Sequence, residues 1–113
     1  MADDCLFCRI VARSVPATIV GETDDALAFT DINPAAPIHV LVIPKKHVDS
    51  LALATDEADL GHLMAFAASV AKQQGVAESG YRTVINTRTE GGQTVDHLHL
   101  HVIGGRQMHW PPG

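Results

Sequence analysis

Cysteine is nearly absent: Cys5 and Cys8 are the only two in 113 residues. Two thiols that close in sequence cannot staple a secreted scaffold, so a disulfide framework is excluded. In a reducing compartment a Cys-x-x-Cys pair points to metal or redox chemistry instead. No apolar run approaches the roughly 20 residues of a spanning helix, which leaves no membrane partner to expect. The first residues, Met1-Ala2-Asp3-Asp4, are acidic where a signal peptide would be basic and then apolar, so a cytoplasmic location is the expectation. No basic run exceeds Lys45-Lys46, and eight basic against thirteen acidic residues give a formal charge of −5. Binding a long nucleic acid requires neutralising many phosphates, which this balance excludes. A single nucleotide held by a few groups remains compatible. Repeats, low-complexity tracts and linkers are also missing, so the expectation is one domain over residues 1–113. Hydrophobic residues at 46% and charged residues at 19% suit a globular chain, and oligomerisation would help one this small bury enough surface.

The pattern along the chain predicts a short N-terminal helix over Leu6–Ala12, ended around Ser14–Pro16. Thr18-Ile19-Val20 and Asp25–Ile32 alternate as strands, with Thr23-Asp24 as the turn of a hairpin. Asn33-Pro34-Ala35-Ala36-Pro37 is a loop, because two prolines that close exclude a ladder. His39–Ile43 is a third strand, stopped by Pro44. Thr55 is the expected cap of one long helix carrying Asp56, Glu57 and Asp59 in its first turn. Leu60, Leu63, Met64, Phe66, Ala67, Val70 and Ala71 supply its apolar stripe, and Gly75 ends it. Tyr81–Thr87 and His97–Ile103 are the last strands, joined through Gly91-Gly92. Short connections suit antiparallel pairing. The fold class is α+β: a five-stranded antiparallel sheet with both helices on one side.

The chemistry concentrates in His97-Leu98-His99-Leu100-His101. Alternation along a strand puts the three imidazoles on one face and Leu98, Leu100 and Val102 on the other. Three readings follow from that spacing: a surface strand that happens to carry histidines, a His-x-His metal chelate completed by His39, or nucleophilic catalysis by one imidazole oriented by its neighbours. Upstream, Gly91-Gly92-Gln93-Thr94 could curve so that amide hydrogens and the Thr94 hydroxyl converge on an anion. An anion site beside an imidazole cluster favours attack on phosphorus, although a hairpin turn would use Gly-Gly too.

The segment His97-Leu98-His99-Leu100-His101-Val102-Ile103 resembles the His-φ-His-φ-His-φ-φ signature of the histidine triad superfamily, φ being apolar. The resemblance is strongest to the branch of histidine triad nucleotide-binding (Hint) proteins and covers nearly the whole chain. Phe29-x-Asp31-Ile32-x-Pro34-x-Ala36-Pro37, Leu41–His47, Gly61–Met64 and the branch-specific tail Gly104–Gly113 all match.

That resemblance implies a dimer whose two sheets join into one of about ten strands. It implies a hydrolase of purine nucleoside 5′-phosphoramidates, such as AMP joined to an amine. His99 would be the nucleophile, transiently nucleotidylated on its ring. His101 would contact the phosphate and pass a proton to the amine, while His39 and His97 orient the nucleophile. Asn86, Gly92, Thr94 and the backbone after it at Val95 would hold the phosphate, with Gln93 also in the substrate site, and Asp31 would hold the ribose hydroxyls, although Asp31 could also be a simple turn residue. Leu6, Phe7, Phe29, Ile32 and Leu41 would form the purine cleft, and Trp110 would reach toward the partner's site. No cofactor is required for this chemistry. Thr94 stands where the branch commonly has Ser, Thr30 where animal members have His, and Asp96 where an aromatic is usual. Some relatives carrying the cysteine pair hold a structural zinc, with His47 and His97 completing Cys5 and Cys8; two unligated thiols are the alternative. A nucleotide-binding module with little turnover, an enzyme of other nucleotide conjugates, and a metal-dependent enzyme built on His39, His99 and His101 are the rival readings.

Overall fold

A computed structural model describes residues 4–113. Five strands form one antiparallel sheet, β1 (Ile19–Glu22), β2 (Ala26–Thr30), β3 (Ile38–Pro44), β4 (Tyr81–Val84) and β5 (Leu100–Gly104), in the order β1-β2-β3-β5-β4. Helix α1 (Leu6–Val11) precedes the sheet, and α2 (Glu57–Gln73) connects β3 to β4.

Each boundary has a local cause. The Cys5 thiol caps α1 by accepting the Cys8 amide. Thr23 Oγ1 accepts the amides of Asp25 and Ala26 and closes the predicted β1–β2 turn. Asp56, rather than Thr55, caps α2, its carboxylate taking the Asp59 amide at 3.0 Å. A carboxylate suits the positive end of the helix better than a hydroxyl does. At the far end Gly75 has φ +80°, and the amides of Gly75 and Val76 return to the carbonyls of Lys72 and Ala71. This is a Schellman closure, and it satisfies two of the helix's last carbonyls.

The two helices lie on opposite faces of the sheet, which corrects the expectation of one covered side. Leu63, Ala67, Val70 and Ala71 of α2 pack on Ala26, Ala28, Val40, Val42, Leu98, Leu100 and Val102. Phe7 and Ile10 of α1 pack on Leu27, Phe29, Leu41 and Ile43. Strands β2 and β3 are therefore buried on both faces, and their unbroken apolar runs are the sequence trace of that. Alanines at positions 26, 28, 67 and 71 allow α2 a close approach, whereas the α1 face takes large side chains. Within the predicted stripe, Met64 is 47% exposed and falls outside the contact.

Three predicted strands are longer than the observed ones. β2 stops at Thr30 and β4 at Val84, while β5 begins only at Leu100. His97, Leu98 and His99 thus precede the ladder, yet the alternation persists: Leu98 joins the α2 core while His97 and His99 are buried.

Close packing at β5 gives a stability prediction. A Cβ on Gly104 would lie 2.9 Å from Val76 Cγ1 and 3.0 Å from its Cβ. Val76 is buried and β-branched, so it cannot swing aside. Gly104→Ala is expected to cost about 1–3 kcal/mol by overpacking, read as a lower urea midpoint with an unchanged m-value.

Candidate functional site

The site begins with a backbone carbonyl. His99 Nδ1 lies 2.8 Å from the His97 carbonyl oxygen, which can only accept, so Nδ1 carries the proton. In the neutral ring Nε2 is then an unprotonated lone pair. Phe7 meets this ring edge-on at 5.1 Å between centroids, and the residue is 4% exposed. The imidazole is thus held in one orientation with one nitrogen free to react.

A second chain of bonds fixes its neighbour. The Ala35 amide donates to His39 Nδ1 at 2.9 Å, so His39 carries its proton on Nε2. His39 Nε2 lies 2.9 Å from His101 Nδ1, which must accept. His101 therefore carries its own proton on Nε2, a buried atom with no hydrogen-bond partner among the described residues. The register places Leu41 opposite His101 and His39 opposite Ile103, which sets the two histidines diagonally across β3 and β5 on one face. Asp31 Oδ2 stands 3.4 Å from His39 Nε2, while its Oδ1 accepts the Asn33 amide at 2.8 Å. Asp31 serves the turn and the histidine at once.

Burial holds these rings neutral. His101 is pushed down to about 4, first by desolvation and then by the neighbouring His99 and His39. His39 is lowered by burial against the opposing pull of Asp31. His97 is lowered by burial as well, opposed by the Pro44 carbonyl. The unfolded chain takes up protons near the ordinary histidine value of about 6.5, before the folded one does. Stability is therefore full above that value and falls as pH drops toward 4. Urea unfolding between pH 7.5 and 4.5 is expected to lose on the order of 3 kcal/mol to His101, and His101→Gln should flatten that part of the slope.

Four further ligand atoms converge beside the triad. Those of Cys5, Cys8, His47 and His97 all lie within 4.8 Å of one another. His97 Nε2 donates to the Pro44 carbonyl at 2.8 Å and His47 Nε2 to Asp49 Oδ1 at 2.6 Å, so both Nδ1 lone pairs point into the cluster. With both rings neutral they face each other at 3.1 Å with no proton between them. The thiols, 3.3 Å from His97 Nδ1 for Cys5 and 3.2 Å from His47 Nδ1 for Cys8, can serve each lone pair singly but cannot relieve that repulsion. A cation can. Burial, reinforced by Cys5, pushes the Cys8 thiol up to about 11, so only a metal would make it a thiolate near neutrality.

Asp31, His39 and His101 also gather within ligand distance, but their outer partners are wrong. A metal on His39 Nε2 would force the ring proton onto Nδ1, against the Ala35 N–H. A metal-bound histidine needs an acceptor behind it; His47 and His97 have one and His39 does not.

Several expected contacts fall elsewhere. Phe7, Phe29 and Leu41 are buried in the core, while Leu6 is 39% and Ile32 91% exposed, so these five do not form one open cleft. Gln93 is turned into its own loop. Its amide donates to the Asp49 and Val95 carbonyls and its oxygen accepts the Arg88 amide. The Gly92 and Gln93 amides return to the Thr89 and Arg88 carbonyls, so the Gly-Gly curve is a closed turn rather than an open ring of donors. Gly91 is needed there because a Cβ would sit 2.5 Å from the Thr87 carbonyl oxygen. Asn86 is half-buried beyond the end of β4. Thr94 and Val95 border a cavity of about 470 Å³ with Leu6 and His47, next to the metal cluster. Trp110 is 82% exposed. Sequence reasoning missed Ala35, Pro44 and Asp49. Asp49 alone left a signal, a carboxylate two residues beyond a histidine; the other two act through backbone atoms.

Residues 12–108 match the family model described as the HIT domain. An uncharacterized HIT-like protein of Synechococcus elongatus is 53% identical over 115 residues, covering all of both chains. A HIT family hydrolase from Legionella pneumophila superposes with a TM-score of 0.94 at 48% identity, over 96% of this chain and 99% of that one. A zinc-bound histidine triad family protein from Mycobacterium smegmatis gives 0.82 at 32% identity, over 94% and 78%. Imidazoles fixed by their backbone neighbours, on a sheet of this topology and with relatives this near, make the chain a member of the HIT family.

Proposed function

We propose that the chain hydrolyses purine nucleoside 5′-phosphoramidates through a nucleotidyl-histidine on His99. One observation carries the reading: His99 is left with a lone pair on Nε2, His101 keeps a buried N–H on Nε2 with no partner among the described residues, and the two rings lie 5.1 Å apart between centroids. A nucleophile next to an unsatisfied donor suits a phosphoryl group, whose phosphorus is attacked while an oxygen accepts. The hydrolase relative from Legionella pneumophila supports the reaction class.

In the first step His99 Nε2 forms a bond to the α-phosphorus and the phosphorus–nitrogen bond breaks. The departing nitrogen takes one proton. His101 Nδ1 already accepts from His39, so the His101 Nε2–H donates to a phosphate oxygen, while the proton on the departing nitrogen comes from water and is matched by the one that the attacking water releases in the second step. Water next attacks the phospho-imidazole, releasing the nucleoside monophosphate and restoring His99. In this reading Asp31 would accept from the ribose hydroxyls, and the exposed Ile32 and Leu6 would meet the base. A fluorogenic AMP-amine, turned over with and without EDTA, tests the reaction. Intact mass spectrometry of a quenched mixture should show an AMP-sized increment on the chain.

We further propose that Cys5, Cys8, His47 and His97 hold a structural zinc. Tetrahedral zinc with bonds of about 2.0–2.1 Å to nitrogen and 2.3 Å to sulfur separates its ligands by roughly 3.3–3.8 Å. The contacts of 3.1, 3.2, 3.3 and 3.5 Å need only slight expansion. The zinc-bound relative supports the choice of metal. Such a site would tie α1 to the sheet, and no chemical step passes through it.

The active form is proposed to be a homodimer in the cytoplasm, formed by pairing of β4 with its copy. β4 is a free edge of the sheet, and unpaired backbone there invites a second strand. Arg82 of that strand donates to the His109 carbonyl at 2.7 Å and holds the tail, with exposed Trp110, along the same edge.

A further inference from the structure

Arg106 belongs to neither cluster and lies on the surface; its Nη1 donates to the neighbouring Gln107 carbonyl at 3.3 Å, but its two long-range contacts end on one atom. Its Nε and Nη2 donate to the Ala35 carbonyl oxygen at 3.1 and 3.0 Å. Ala35 is the residue whose amide fixes the His39 tautomer. The preceding residue reinforces the hold: Gly105 has φ +90°, and a Cβ there would meet Pro37 Cβ at 3.0 Å, so the tail is packed directly on the loop of residues 33–37. That loop has no ladder partner of its own, since β2 ends at Thr30 and β3 starts at Ile38. Two flanking prolines restrict it but do not aim the Ala35 amide.

We propose that Arg106 is a positioning residue for the histidine relay. By gripping the Ala35 carbonyl from outside, it holds the Ala35 N–H on His39 Nδ1, which keeps the proton on His39 Nε2 and so presents the His101 Nε2 proton toward substrate. Released from Arg106, the loop can turn its amide away. His39 then takes either tautomer, and whenever its proton sits on Nδ1, the His101 ring loses its donor at Nδ1 and its own proton is no longer confined to Nε2. Asp31, 3.4 Å from His39 Nε2, favours the Nε2 proton but offers nothing to hold Nδ1 bare. The functional consequence rests on the phosphoramidase reading; the tautomer itself does not.

The test is long-range proton–nitrogen NMR of the histidine rings at neutral pH in the substrate-free protein. The parent chain should show His39 and His101 both protonated on Nε2. In Arg106→Ala the His39 nitrogen shifts should move toward each other, as for a mixed tautomer, with kcat for an AMP-amine falling roughly 5–10-fold and KM changing much less. Arg106→Lys, which returns one donor in place of two, should lie between. A folded Arg106→Ala protein with parental ring shifts would overturn the proposal, and so would a loss confined to KM. If Arg106→Ala does not fold, the reading passes to Arg106→Lys: parental shifts there overturn the proposal and a partly mixed tautomer supports it. Because the ring shifts are read without substrate, failure of the phosphoramidase reading leaves this test intact.

Discussion

Replacing His99 with alanine is expected to reduce turnover of an AMP-linked amine by at least about 10³-fold, because no other ring offers an equivalent lone pair. His97 has its Nε2 on the Pro44 carbonyl and its Nδ1 in the metal cluster. His101 Nδ1 is taken by His39, and its other nitrogen carries the proton. The loss should fall on kcat. AMP should still bind, since the His101 donor and Asp31 remain in place. The AMP-sized increment seen in quenched mixtures of the parent chain should disappear in the variant. The truncated ring is 4% exposed and packs on Phe7, so a cavity penalty of about 2–4 kcal/mol accompanies the change. Measurements should therefore be made well below the variant's melting temperature. Turnover that persists in a folded His99→Ala protein would end the covalent reading.

The second large effect concerns the metal cluster. The protein is expected to carry about one zinc per chain, and chelation or Cys8→Ser should lower Tm by roughly 10–25 °C, corresponding to about 2–4 kcal/mol in a domain of this size. In the neutral rings the two Nδ1 atoms, 3.1 Å apart, have no proton between them. Emptied of its cation, the site must rotate at least one imidazole and give up its bond to Asp49 or Pro44. Turnover at temperatures where the metal-free chain remains folded should survive, because His99 is held by a carbonyl and by Phe7 rather than by the cluster. Loss of turnover on chelation at low temperature would instead favour a metal-dependent reaction. Elemental analysis that finds no bound metal, together with an unshifted Tm under EDTA, would remove the site altogether.

Much of this was visible in the chain before any coordinates. The alternation of His97, His99 and His101 with Leu98, Leu100 and Val102 assigned faces correctly, although the ladder starts only at Leu100. Face assignment needs only local backbone extension, which the sequence pattern encodes. Gly75 marked the end of α2 because a left-handed residue there is almost a requirement of the closure it makes. The opposite placement of the two helices was equally written in β2 and β3, whose runs are apolar at successive positions. Reading the alternation as one covered face overlooked that both alternating sets were hydrophobic.

Other features had no trace in residue identity. The Gly91-Gly92 turn looked like a phosphate cradle, and Gln93 like a substrate contact, because their chemistry permits it. The loop instead consumes those donors itself, and only the path of the backbone reveals which carbonyls lie within reach. The same limit applies to Phe29 and Leu41, which suit a base-binding cleft or a core equally well until burial decides.

The sequence by itself determined the family signature, the alternating faces around the triad and the Cys5-x-x-Cys8 pair, since these depend on side-chain type and short-range periodicity. Tertiary structure alone decided which nitrogen of each histidine carries its proton. That depends on the Ala35 amide and the carbonyls of Pro44 and His97, groups every residue possesses and only folding can aim.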